Sequence, residues 1–163
     1  MNPNAHGMRR EEFSFETRHV RPETGETTAP LPTLKLQYAG PEGELRAALA
    51  QTDVSTQGKA DLDVSLRLKG NFEEPDPDGV LAVTGRLTGD FICECNVPAK
   101  QIFEFLSATK RRAAAVDRRP KYRFQLYADD RPIRTEEMDT FLVYTKSGVL
   151  REAESLLPNG VQL

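Results

Sequence analysis

Cys93-Glu94-Cys95 is the first place in the chain to look for chemistry. In a strand, residues two apart project to one face, so the two thiols would stand together. Thiolates can hold zinc, but such a site needs about four ligands, with cysteine pairs usually about two to four residues apart. The only imidazoles are His6, in a polar N-terminal stretch, and His19. Phe91 and Val97 bracket the thiols. Packing as small buried hydrophobes is therefore favoured over metal or redox chemistry. His19 follows Arg18 at the end of a strand pattern. A general base needs an orienting partner, and none is apparent, so His19 reads as a surface residue.

Acidic pairs occur at Glu11-Glu12, Glu73-Glu74, Asp129-Asp130 and Glu136-Glu137. Facing carboxylates can divide acid and base roles. These pairs fall in expected loops or at strand starts, where solvated charge is ordinary. The segment from Glu73 to Asp78 lacks the alternating ligands of an EF-hand loop. No P-loop, dinucleotide fingerprint, G-x-S-x-G elbow or H-E-x-x-H pair is present. No catalytic residue, metal ligand or cofactor is named by the sequence, which weighs against an enzyme.

Charge is the uneven feature. Between Lys110 and Arg134 lie nine basic residues against three acidic ones. That window carries +6, and the remainder of the chain −9. Arg111, Arg112, Arg118, Arg119, Lys121 and Arg123 are the candidate anion-binding residues. Arginine's planar fork suits phosphate and carboxylate, and Tyr122 and Tyr127 lie near the charges. The plainer reading is a solvated face. Cations near a helix C-terminus complement its dipole, and the acidic loop at 73–78 could pair with them.

The elements that must position these residues follow from periodicity. Phe13, Phe15 and Thr17 alternate with charged residues, as in a half-buried strand. A Pro/Gly-rich loop at 21–33 precedes a strand marked by Leu34, Leu36 and Tyr38. Pro41 opens a short helix over about 41–51, followed by a loop at 52–59. Leu62, Val64, Leu66 and Leu68 alternate with polar residues. A second alternation runs from Leu81 through Leu87, Phe91, Cys93 and Cys95 to Val97, with Gly85 and Gly89 marking a bend, a bulge or a close approach. The two together predict a long antiparallel hairpin with an acidic tip at 73–79. Ile102, Leu106, Thr109, Ala113 and Val116 form an amphipathic stripe, widened by Phe103 and Phe105, on a helix over about 98–116. Strands are expected at Tyr122–Leu126 and Phe141–Thr145, and again over 149–156, with a polar connection from Asp129 to Asp139. Runs of strands broken by one long helix predict an α+β fold. It would be mostly antiparallel, with the long helix packed on one face of the sheet.

The 163 residues fit one domain better than two, and a core of that size needs no disulfide. The expected division is a disordered tail at 1–10 and a single domain at 11–163. Met8 followed by Arg9 and Arg10 could be the true start. No apolar run could span a membrane, and the N-terminus has no signal-peptide core. A cytoplasmic location is expected.

Three stretches resemble a small family of uncharacterised haloarchaeal proteins. They are Met8-Arg9-Arg10, TGRLTGDFICECN at 84–96, and TFLVYTKSGVLREAESLLPNGVQL at 140–163. The resemblance implies a cytoplasmic archaeal protein and carries over no activity. Proteins of that kind are strongly acidic, whereas this chain has 25 acidic and 22 basic residues. The leading expectation is a non-enzymatic domain that binds an unidentified protein partner. The alternative is a nucleic-acid or phosphate-binding module built on 110–134. The chain points to no particular oligomeric state.

Overall fold

The computed structural model describes residues 12–20, 30–52, 62–71, 73, 75–85, 89, 91–116 and 118–157. The expected tail at 1–10, Met8, most of the loops at 21–33 and 52–59, and the chain end at 158–163 lie outside the described residues. The elements in chain order are β1 (Phe13–Arg18), β2 (Thr33–Tyr38), α1 (Glu42–Thr52), β3 (Leu62–Leu68), β4 (Asp78–Gly85), β5 (Phe91–Pro98), α2 (Ala99–Ala115), β6 (Tyr122–Ala128), β7 (Arg131–Met138) and β8 (Leu142–Tyr144). The α+β class holds, with the strands divided between two mixed four-stranded sheets. One has the order β1-β2-β6-β7 and the other β5-β4-β3-β8. Four pairings are antiparallel, and β2–β6 and β3–β8 are parallel.

Period-two patterning explains the layering. Leu34, Leu36 and Tyr38 of β2 and Tyr122, Phe124, Leu126 and Ala128 of β6 are buried, while the residues between them on β6 are half-exposed. Leu62, Val64, Leu66 and Leu68 of β3 are buried in the same way. One continuous cluster of buried side chains joins both sheets and both helices. The sheets meet where β1 lies beside β5, and the Cys95 thiol donates to the Phe13 carbonyl at 3.6 Å. α2 buries Ile102, Phe105, Leu106, Thr109 and Ala113. Phe105 meets Tyr122 edge-on at 5.4 Å, and Tyr122 meets Phe141 at 6.0 Å. Each fully buried large apolar side chain of that stripe contributes roughly 1.5–3 kcal/mol relative to exposure. Among the described residues no helix is long and apolar enough to cross a membrane.

Three local expectations are corrected. The alternation from Leu81 to Val97 is two strands, because the chain reverses between Gly85 and Phe91. Gly89 adopts φ +73° and its N–H bonds to the Gly85 carbonyl at 2.8 Å, a conformation glycine reaches without a Cβ penalty. Phe91 is consequently 36% exposed rather than part of the dry face. The polar stretch after Asp129 is the strand β7. Asp129 and Asp130 both take positive φ, as a tight hairpin turn requires, and aspartate tolerates it. Pro132 is accommodated because β7 is an edge strand and the register shifts at that point. Residues 149–156 form turns with isolated bridges at Tyr144–Leu150 and Phe141–Leu156 rather than a strand. The Ser155 hydroxyl accepts from the Val143 N–H and donates to the Arg151 carbonyl, satisfying backbone groups a ladder would otherwise pair.

Candidate functional site

The thiols are structural. Cys93 and Cys95 are free and buried. Burial pushes the Cys95 thiol up to about 11 and the Cys93 thiol higher still. Neither supplies a thiolate near neutral pH. Among the described residues no group of three His, Cys, Asp or Glu side chains is placed to hold a metal ion.

The sheet β1-β2-β6-β7 has one dry face, turned to the core, and one wet face. Backbone register fixes which residues share a row on the wet face, because directly paired residues project the same way. At one end the row reads Arg18, Thr33, Arg123, Glu137. The middle row reads Glu16, Lys35, Gln125, Thr135. The next reads Ser14, Gln37, Tyr127, Pro132.

The first row is the place to which the basic segment leads. α2 is closed by Val116 N–H to Arg112 O at 3.2 Å and Arg118 N–H to Ala113 O at 2.9 Å. These bonds satisfy terminal carbonyls and set Arg118 beside the helix end. Arg119, Pro120 and Lys121 then carry the chain into β6. The Arg123 N–H bonds to the Pro32 carbonyl at 2.9 Å, which aligns the starts of β2 and β6. Because β1 runs antiparallel to β2, it ends here and delivers Arg18 and His19. Arg18 and Arg123 are two strands apart, about 10 Å between Cα atoms at ordinary strand spacing. Thr33 lies between them, buried, its hydroxyl donating to the Leu31 carbonyl at 2.9 Å.

Of the candidate residues, Arg118, Arg119 and Lys121 are exposed and Arg123 is half-exposed, all within this end. Arg111 is exposed and Arg112 half-buried in the last turns of α2, within about 8 Å of its end along the axis. The rest of the basic window goes elsewhere. The Lys110 ammonium donates to the Ala153 carbonyl at 2.8 Å and ties α2 to the C-terminal segment. Arg131 lies at the far end of the sheet, 4.0 Å from Glu42, and Arg134 is 3.3 Å from Glu136. Arg18 is invisible as a site residue in the sequence, and His19 beside it reads there as a surface residue. They stand about a hundred positions from the basic segment, and only strand register brings them there.

Two carboxylates meet the arginines of the first row, Glu16 from the middle row and Glu137 from within it. Glu16 accepts a hydrogen bond from Arg18, which holds its carboxyl below the usual range and raises Arg18 in turn. Glu137 lies 3.9 Å from Arg123. Arg111, Arg118, Arg119 and Lys121 make no ion pair with a described residue. The arrangement can offer several exposed cationic donors to one anion-rich ligand.

Residues 8–163 match the family of unknown function DUF5793, and the chain belongs to that family. No curated protein matches the chain. No solved structure matches it either.

Proposed function

We propose that this chain is a non-enzymatic interaction domain whose ligand is a polyanion of the nucleic-acid type, held at the basic end of the β1-β2-β6-β7 sheet. Arg18, Arg118, Arg119, Lys121 and Arg123 bind phosphates, with Arg111 and Arg112 extending the surface along α2. The observation that carries this reading is the convergence of β1, β2, β6 and the α2–β6 connection on that end. It adds Arg18 from a remote part of the chain to a basic segment already exposed. Guanidinium forks bind phosphate oxygens in pairs, and four arginines supply several such forks around this end of the sheet. A protein partner, the leading expectation from the sequence, has less support: the exposed large apolar side chains among the described residues are Phe91 and Val149. The setting we infer is the cytoplasm of an archaeon, supported by the resemblance to haloarchaeal proteins and by two free buried thiols.

The test is binding of short labelled nucleic acids at two salt concentrations, beside a variant carrying Glu at Arg111, Arg112, Arg118 and Arg119. Binding should weaken with salt, by a log–log slope of roughly 0.7–0.9 per phosphate neutralised. It should vanish in the variant while the variant's circular dichroism stays unchanged. A folded wild-type protein that binds nothing at low salt would remove the reading.

A further inference from the structure

We infer that the ligand is single-stranded nucleic acid, with its phosphates at the basic row and its bases over the wet face of β2 and β6. This rests on the polyanion reading and narrows it. The wet face changes character along the strands. Arg18 and Arg123 mark one end, Lys35 and Gln125 follow, and Gln37 and Tyr127 come next. The first and third rows are about 13 Å apart at ordinary strand rise. Beyond Tyr127 the turn presents exposed Asp129 and Asp130. A phosphate backbone is repelled there, so its charged part is confined to the basic end. What extends toward Tyr127 must be uncharged and planar to suit the side chains it meets.

Unpaired bases have that character. Their faces stack on aromatic rings, and their edges exchange hydrogen bonds with amides such as Gln125. A duplex keeps its bases stacked inside and could offer this flat sheet only its phosphates. Tyr127 and Gln125 are half-exposed, on the open side of the sheet. The Lys35 ammonium sits 4.2 Å from the centre of the Tyr127 ring. A base takes that place, and Lys35, one row from Arg18 and Arg123, turns to a phosphate. Glu16 and Glu137 hold the two arginines until phosphates replace them.

Fluorescence anisotropy at one fixed salt concentration tests this with three probes of matched charge: a single-stranded oligonucleotide, a duplex and inorganic polyphosphate. The single strand should bind at least about tenfold more tightly than either, the scale of one stacked base. Tyr127→Leu should remove about that factor for the single strand and leave polyphosphate unchanged, while Tyr127→Phe keeps full affinity. Equal binding of all three probes, or a preference for the duplex, with Tyr127→Leu indifferent, would overturn the inference and leave the polyanion reading standing. Binding of none would sink both.

Discussion

The two ends of the β1-β2-β6-β7 sheet are both rich in charge, and they use it differently. At the far end the charges are taken up by the fold. The Tyr38 hydroxyl, on a ring 2% exposed, donates to Glu44 at 2.7 Å, and burial first and that bond second hold the phenol protonated. Glu42 receives Arg46 at 2.6 Å and stands 4.0 Å from Arg131, while Gln37 donates to Asp130 at 2.9 Å. These contacts fasten α1 and the β6–β7 turn to the sheet. At the near end, Arg118, Arg119 and Lys121 are exposed and form no ion pair with described residues. A charge engaged within the fold costs stability when removed. A charge directed at solvent costs almost none, so its effect should show in binding.

Substitutions at the two ends should therefore have opposite phenotypes. The largest stability loss should come from Tyr38→Ala, which removes a ring stacked on Phe13 at 5.1 Å. Urea denaturation should register about 3–5 kcal/mol, the usual cost of deleting a buried aromatic side chain. Tyr38→Phe keeps the ring and loses the hydroxyl's hydrogen bonding to Glu44 and Glu12, so about 1–2 kcal/mol is expected. Arg118→Glu, Arg119→Glu and Lys121→Glu should each shift stability by no more than about 0.5 kcal/mol. A marked destabilisation from any of the three would break the distinction between the ends.

Two pH effects sharpen it. The buried thiols ionise less readily folded than unfolded, since burial raises Cys95 from 9.0 to about 11 and Cys93 further. Their stabilising contribution is full below pH 9 and is lost as pH rises through the folded values. Denaturation midpoints should therefore fall above pH 9, and a thiol reagent should react only on unfolding. Glu16 is depressed below its ordinary 4.5 mainly by its bond from Arg18. Its small contribution to stability is present above pH 4.5 and lost as pH falls through the lowered value. That same protonation frees Arg18, so anion affinity should rise there. Glu16→Gln should reproduce the rise at neutral pH.

Local patterning made β3 and α2 readable. Leu62 to Leu68 keeps a strict period of two, and Ile102 to Ala113 a helical stripe, with α2 found at Ala99–Ala115. β7 was hidden because its boundary is an Asp-Asp turn in an otherwise polar stretch, and an exposed edge strand has no alternating apolar face to reveal it. The break between β4 and β5 was hidden because the alternation continues across the turn. The basic segment from Arg118 to Arg123 was legible as charge. Its completion by Arg18, and the row linking Arg18, Thr33 and Arg123, depend on a parallel pairing between β2 and β6 that no local pattern encodes.

The most direct test compares charge reversal at the two ends. One variant carries Glu at Arg118 and Arg119, and a control with the same change in charge carries Glu at the exposed Arg46 and Arg131. Binding of a single-stranded oligonucleotide is measured for each at low salt. The first variant should lose binding while remaining folded, and the control, shown to be folded by circular dichroism, should keep most of it. Equal losses from both ends would contradict this, because binding would then follow net charge and not a site.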